Sequence, residues 1–340
     1  MAQWVASTAC IAGQAGKQEG MTTQAPIDVV YTWVDDSFPG YLELLNDYAD
    51  DKRDLNPNRT RDNLDLIRYS MRSVVQHLPM IRRIYLLTCR PQVPAWLDVD
   101  HPMIRVVHHD QVMAPEIIPT FSSFSITSHL HLLPELSDRF LYFEDDFLAN
   151  SDALLENLQA KDGRPMVHLG AHWIAPLDKL NRQTSSPWNL ALANADAILS
   201  SRFGSGPRRQ TIHGPQMFDR SIMADAIDAF PEVFAATRTA RFRAGDGVPP
   251  EVFVPHYMIE TGAAVQATRQ HSKRVEGYVS LENFLPWTWA QLKRLEIRSP
   301  LSLALNDSFG DRPNPKVERH VRAWLEQKFP NRAPFEMPGR

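Results

Sequence analysis

The sequence predicts an α/β protein: a Rossmann-like, mostly parallel central sheet flanked by helices, with a more helical C-terminal half. Three observations carry that expectation. Short runs that are apolar throughout, such as IDVVYTWV from Ile27 and IYLLT from Ile84, alternate with stretches of helical spacing. Strands apolar on both sides belong to a sheet covered on both faces, which is the parallel case. Finally, strand runs end in acids, at Asp35–Asp36 and at Glu144–Asp145–Asp146, and in open sheets of this type ligands sit beyond the carboxyl ends of the strands.

Taken in order, Ile27–Val34 reads as a first, central strand. Residues 41–61 are polar and rich in acids, as a surface helix and loop would be. From Asp62 a helix is expected: Leu64, Ile67, Met71, Val74, Val75 and Leu78 fall on one face, Asp62 can cap the start, and Pro79 lies past the end. Ile84–Thr88 is a second strand, Arg90–Trp96 a proline-containing loop, and Ile104–Val107 a third strand. Ser122–Leu133 is helical up to Pro134, and Arg139–Phe143 is the next strand, so helices are expected between the strands of the first half. Beyond it, Gln216–Phe230 and Glu251–Ala264 carry helical patterns, and Val317–Phe329 is amphipathic. Arg202–Gln210 reads as a mobile Gly/Pro/Arg loop, and Leu301–Leu305 as a late strand ending in Asn306–Asp307. Residues 1–25 are expected to be a disordered extension without the basic start or apolar run of a signal peptide, with Met21 a candidate start; 26–340 form a single domain.

Composition narrows the function. The net charge is −4 and no long basic run occurs, which argues against a nucleic-acid binder. Two cysteines, Cys10 and Cys89, make neither a disulfide framework nor a zinc motif. No stretch approaches 18 consecutive apolar residues, so no transmembrane helix is expected. A cytoplasmic location follows as the expectation, with peripheral contact at the inner face of the cell membrane left open. There is no GxGxxG, Walker or GxSxG motif.

The acids raise the chemical question. Two carboxylates within ~4 Å repel by about 4 kcal/mol at an effective dielectric near 20. Protonation, splaying into water or a bound cation relieves this, and hard oxygen ligands suit Mg²⁺ or Mn²⁺. A solvated turn is the bland alternative, and the third acidic strand end, Asp307, counts against it. His213 stands in a loop before a helical stretch. Arg241 and Arg243 alternate about Phe242, as a phosphate clamp or as surface ion pairs. The pairs His129/His131 and His168/His172 read as structural, while His108 and His109 end a strand where packing or solvent is the commoner outcome.

Several segments occur in a telling order: IDVVYTWVDDS, RDNLDLIRYSMRSVVQHLPMIRRIYLLTCRPQVPAWL, VVHHD, IIPTFSSFSITSHLHLLPELSDRFLYFEDDFL, HGPQMFDR with RFR, and LALNDSFGD. Together they resemble the four conserved regions of the Stealth family, which includes bacterial capsular polysaccharide phosphotransferases and the eukaryotic lysosomal-enzyme GlcNAc-1-phosphotransferase. The resemblance implies transfer of a hexose-1-phosphate from a nucleotide diphosphate sugar donor to a hydroxyl of a saccharide acceptor. A phosphodiester forms and a nucleoside monophosphate leaves. It divides the domain into a nucleotide-binding half, 26–150, and an acceptor half, 151–340, that completes the site.

By the same resemblance, Asp145, Asp146 and Asp307 would hold Mg²⁺ or Mn²⁺, Asp35 would border the nucleotide or the ion, and His213 would be the general base. Arg243, with Arg241, would grip the diphosphate. Arg68 and Arg72, four apart on one helix face, would reach phosphate or support acids as ion pairs. Three positions depart from the family pattern: Glu144 where Asn is common, Asp36 where Gly is usual, and Phe38 where a further acid is frequent. Transfer of the sugar alone by a metal-dependent glycosyltransferase, or carbohydrate binding without catalysis, are the alternative readings.

Overall fold

The computed structural model describes residues 25–49, 64–204, 206–309 and 312–339. The N-terminal extension, most of the loop expected before residue 61, the proposed cap Asp62, Cys10 and Met21 lie outside the described residues. The chain begins with β1 (Ile27–Thr32), α1 (Tyr41–Tyr48), α2 (Leu66–His77), β2 (Ile81–Thr88), β3 (Ile104–His108) and α3 (Ser123–Thr127). It continues with β4 (Arg139–Glu144), β5 (Phe147–Ala149), α4 (Leu154–Asn157), β6 (Met166–Val167), β7 (Leu169–Trp173) and α5 (Pro187–Phe203). Next come β8 (Arg209–Thr211), β9 (Gln216–Asp219), α6 (Arg220–Ala229), α7 (Pro231–Thr239) and α8 (Pro250–Glu260). Last are β10 (Val265–Gln266), α9 (Arg269–Val275), β11 (Tyr278–Leu281), α10 (Leu285–Arg298), β12 (Ser302–Asp307) and α11 (Pro315–Lys328).

The main sheet has the order β3-β2-β1-β4-β9. β1 runs parallel to both β2 and β4, β2 runs parallel to β3, and β9 closes the far edge antiparallel to β4. The chain fills one side of β1 first and then crosses to the other, so the topological switch point lies between β1 and β4. A smaller sheet, β11-β12-β5, hangs from the turn that follows β4.

Burial explains why the strands read as unbroken apolar runs. On β1, Val29 and Tyr31 face a core with Ile67, Met71 and Val74 of α2, whereas Val30 faces a second core with Phe140, Tyr142 and Phe253. The two faces of a strand alternate, so covering both consumes every position. A third core joins Leu148 to Leu303, Leu305, Leu292 and Val321 under α10 and α11.

Some elements differ from expectation. Gln216–Phe230 is a short strand followed by a helix, not one helix: Met217 and Phe218 are buried against β4, and Asp219 Oδ1 accepts from Ser221 N and Ile222 N at 3.0 and 3.3 Å to start α6. The link from β2 to β3 contains no helix; it is fastened to the C-terminal segment through Asp98 N to Phe335 O and Met337 N to Trp96 O, both 2.8 Å. Ser122–Leu133 breaks into α3 and a 3₁₀ turn over Leu130–Leu132. Within Arg202–Gln210, Arg208 is buried and paired with Asp196 at 3.0 Å and Glu260 at 2.5 Å, so that part of the loop is anchored. No helix among the described residues is long and apolar enough to cross a membrane.

The chain end is locked to α2 by a buried ion-pair network. Glu336 receives Arg72 Nε at 2.7 Å, Arg68 Nε at 2.8 Å and the Ala333 amide at 2.8 Å. Burial raises the Glu336 carboxyl, but Arg72, the Ala333 amide and Arg68 outweigh it and hold the group down at about 2. Removing one member leaves the others buried and unpaired. Glu336→Gln is therefore expected to destabilise the chain by about 3–5 kcal/mol in denaturant titrations near neutral pH. Arg332→Ala, which removes an exposed guanidinium 3.7 Å from the same carboxylate, should cost under about 1 kcal/mol. Because the carboxyl is depressed, the difference between wild type and Glu336→Gln should be full above its ordinary value of 4.5 and fade as pH falls toward 2.

Candidate active site

The site forms beyond the carboxyl ends of β1 and β4, at the switch point. β4 ends at Glu144 beside Thr32 of β1. Asp145 and Asp146 form the turn between β4 and β5, and that turn brings the Asp146 carboxylate beside that of Glu144. His213, in the turn between β8 and β9, brings its Nε2 to 3.2 Å from Asp146 Oδ2. Among the described residues, the trio whose ligand atoms all lie within 4.8 Å of one another is Glu144, Asp146 and His213.

Of the expected set Asp145, Asp146 and Asp307, this trio contains Asp146. Asp145 sits near enough to the buried Tyr31 phenol to reinforce, behind burial itself, the upward shift of that hydroxyl. Asp307 ends β12 opposite Leu281, and its Oδ1 accepts from Phe309 N at 2.8 Å. It belongs to the same neighbourhood, since Leu305 N donates to Asp146 O at 3.1 Å, but not to the trio. Beside Asp146 the trio contains Glu144, one of the departures from the family pattern, which the turn after β4 brings within reach of Asp146.

Electrostatics bind the trio together. Burial raises the Glu144 carboxyl, His213 opposes the rise and Asp146 adds to it. For His213 burial disfavours the charged ring, but the charge and hydrogen bond of Asp146, with Glu144 behind them, carry it up to about 9. Glu251, in the first turn of α8, completes the anionic cluster; burial and then Glu144 push it up to about 7. It directly precedes VFVPHYMI, a stretch without another acid, and a carboxylate at the head of so apolar a helix is the sequence signal for it. Two buried carboxylate oxygens, Asp146 Oδ1 and Glu251 Oε2, have no hydrogen-bond partner among the described residues. Buried acceptors are ordinarily satisfied, so the pair fits a site that takes up a cation.

The arginines divide. Arg243 donates through Nε to Ser123 Oγ at 2.8 Å and lies over the rings of Phe124 and Trp188. Its charge is felt by both Glu144 and Glu251, which places it at the site with its Nη groups unspent among the described residues. Arg241 points elsewhere: Nη1 donates to Pro119 O at 2.7 Å and the guanidinium covers Tyr48 at 4.4 Å. Arg68 and Arg72 meet Glu336, with Arg72 also on Glu326 at 3.1 Å, so the acids they support belong to the chain end. Asp35 is held at the β1 end by Gln92, whose Oε1 accepts the Asp35 amide at 2.8 Å while its Nε2 donates to Asp35 O at 2.9 Å. His129 and His168 are buried and tied to backbone carbonyls at 2.7 Å, as structural histidines are.

Comparison with known proteins meets this geometry. Residues 59–167 match the model for Stealth protein conserved region 2, and residues 212–260 match that for conserved region 3. The chain thus carries two conserved regions of the Stealth family, and between them they contain Glu144, Asp146, His213, Arg243 and Glu251. It is 32% identical over 328 residues to exopolysaccharide phosphotransferase SCO6021 of Streptomyces coelicolor, covering 92% of this chain and 57% of that protein. It is 28% identical over 325 residues to capsular polysaccharide phosphotransferase SacB of Neisseria meningitidis serogroup A, covering 91% of this chain and 57% of that protein. The chain therefore spans somewhat over half the length of these relatives. Among solved structures, the galactosyltransferase LgtC in complex with donor and acceptor sugar analogs aligns at a TM-score of 0.43 and 12% identity, covering 91% of this chain and 98% of that one.

The His213–Asp146 pair makes a measurable claim. In protein stripped of divalent ions, the His213 ring should titrate by NMR near 9, against an ordinary 6.5. Since the folded value is raised, the pair's contribution to stability should be complete below pH 6.5 and vanish as pH rises through 9. Asp146→Asn should return the ring toward its ordinary range, and saturating Mg²⁺ should lower it in the wild type. Titration near 6.5 in the stripped wild type would show that the two groups are not paired.

Proposed function

We propose that this chain transfers a hexose-1-phosphate from a nucleotide diphosphate sugar to a saccharide hydroxyl, releasing a nucleoside monophosphate, in the synthesis of a cell-surface polysaccharide. The observation that carries this reading is the switch-point trio of Glu144, Asp146 and His213, faced by Arg243, in a chain whose relatives are named phosphotransferases.

The donor lies across the β1/β4 crevice, with Asp35 toward the nucleotide. Arg243 offers its Nη groups to the diphosphate oxygens, a contact suited to a planar fork of donors. Glu144 and Asp146, with Asp145 and Asp307 in support, would hold Mg²⁺ or Mn²⁺; the unpartnered Asp146 Oδ1 and Glu251 Oε2 support this. When bound, such an ion neutralises phosphate charge and polarises phosphorus. Asp146 orients His213 through Nε2, and Nδ1, which makes no hydrogen bond among the described residues, is left to accept the proton of the acceptor hydroxyl. With the two carboxylates neutralised, the ring loses the field that keeps it charged and becomes available as a base. Arg241, Arg68 and Arg72 act by bracing the scaffold.

Incubation with a panel of UDP-, GDP- and CDP-activated sugars and Mg²⁺ or Mn²⁺, with nucleotides resolved by mass spectrometry, tests the reaction. A nucleoside monophosphate accompanied by a phosphodiester product is expected; a nucleoside diphosphate would identify transfer of the sugar alone, and no turnover with any donor would identify a binding protein. His213→Ala should lower transfer by about 10²–10⁴-fold with donor affinity nearly unchanged. Chelation should abolish transfer and added Mg²⁺ or Mn²⁺ restore it.

A further inference from the structure

His213 touches two aromatic rings. Phe147, buried, lies 4.8 Å away edge to face. Tyr278 lies 5.5 Å away at 78° and is 45% exposed, so an open aromatic face adjoins the imidazole. Tyr278 opens β11, in register with Ala304 of β12. Its position is built by the residue before it: a Cβ on Gly277 would stand 2.5 Å from both Pro300 Cγ and Ser302 O, and Gly277 O accepts from Ala304 N at 3.0 Å. Only glycine lets the strand approach this closely. Ser280 and Asn306 stand near enough to the phenol to oppose the rise that burial and Asp146 give its hydroxyl, so polar side chains border the ring.

Topology places this ring on the acceptor's side. The donor crevice lies between β1 and β4, whereas His213 arrives just before β9, on the opposite edge of β4 from β1. Tyr278 comes from the smaller sheet, outside the nucleotide half. A pyranose has an apolar C–H face that packs on an aromatic ring and equatorial hydroxyls that seek polar groups at its edge, and Tyr278 offers both beside the residue assigned as base. We propose that Tyr278 is the stacking platform of the acceptor saccharide, laying a sugar ring against the phenol so that one hydroxyl meets His213. This rests on His213 being the base of the transfer reaction.

Saturation-transfer NMR of the full chain, with methyl α-D-glucopyranoside, methyl α-D-mannopyranoside and methyl N-acetyl-α-D-glucosaminide as probes, gives a readout independent of turnover. At least one glycoside should receive saturation, mostly at its C–H protons. Tyr278→Ala should lose most of that signal, while Tyr278→Phe and Tyr278→Trp should keep it and show that loss of a ring, not of the fold, is responsible. In turnover, Tyr278→Ala should raise the KM for that glycoside about tenfold or more with kcat and donor KM little changed. Signal equal in wild type and Tyr278→Ala, or absent from the wild type, overturns the proposal. So does a fall in kcat at constant acceptor KM, which would make Tyr278 a support for the imidazole. Saturation transfer without any nucleotide release overturns the transferase reading and leaves the platform standing.

Discussion

Two carboxylates on the same side of a half-buried turn repel each other, and the site is organised around what relieves that repulsion. In the protein alone the relief is the proton on His213, held by Asp146 and Glu144. Glu251 adds a further acid that burial and Glu144 drive toward its neutral form. A cluster so arranged exchanges one cation for another: what now binds a proton would bind a divalent ion. The field that keeps the imidazole charged is the field a metal would cancel, so occupancy of the acids and proton affinity of the ring are linked through one set of charges. Arg243 reads the same cluster from outside, its Nη groups directed by no competing partner among the described residues.

Holding like charges together requires rigid surroundings, and α2 supplies them. Tyr31 OH and Ser70 Oγ are 2.7 Å apart, Ser70 Oγ also donates to Phe147 O, and the Ala149 amide donates to Ser73 Oγ at 2.8 Å. The strand that follows the acidic turn is thereby fixed to the helix that backs β1. The helix in turn is held from its other side by Arg68 and Arg72 on Glu336. These arginines thus act several layers from the acids, through the stiffness of the element that seats them.

Much of this was legible in the sequence, and the misses have physical causes. Apolar runs such as Ile27–Thr32 announce a sheet covered on both faces, and acids at their ends announce a site. Which acids meet is set by the turn after β4: it brings Glu144 and Asp146 together, where adjacency in the sequence suggests Asp145 with Asp146. Arg68 and Arg72 share a helix face as their spacing requires, but spacing says nothing of what that face meets; their partner Glu336 lies 268 and 264 positions away. The strand at Gln216–Asp219 is four residues long, too short for a period to show, and its apolar pair runs in phase with the helix that follows. Residues outside the described chain, Asp62 among them, stay as sequence expectations.

The site is also a joint between distant parts of the chain. Asp146 supplies a carboxylate to the trio and, through its backbone carbonyl, a hydrogen bond to Leu305 of β12. The neighbouring strand β11 carries Tyr278 to His213, while β9, which follows His213, pairs with β4, which precedes Asp146. No one of these segments presents the arrangement alone: the acids need β1 and β4 side by side, the imidazole needs β9 on their far edge, and the aromatic face needs the smaller sheet closed onto the turn. A reaction between two large polar substrates calls for such a junction, because each can then approach across its own edge of β4 and meet the other over a single fixed turn. The turn after β4 is thus the place where the fold's two sheets and the proposed reaction's two substrates come together.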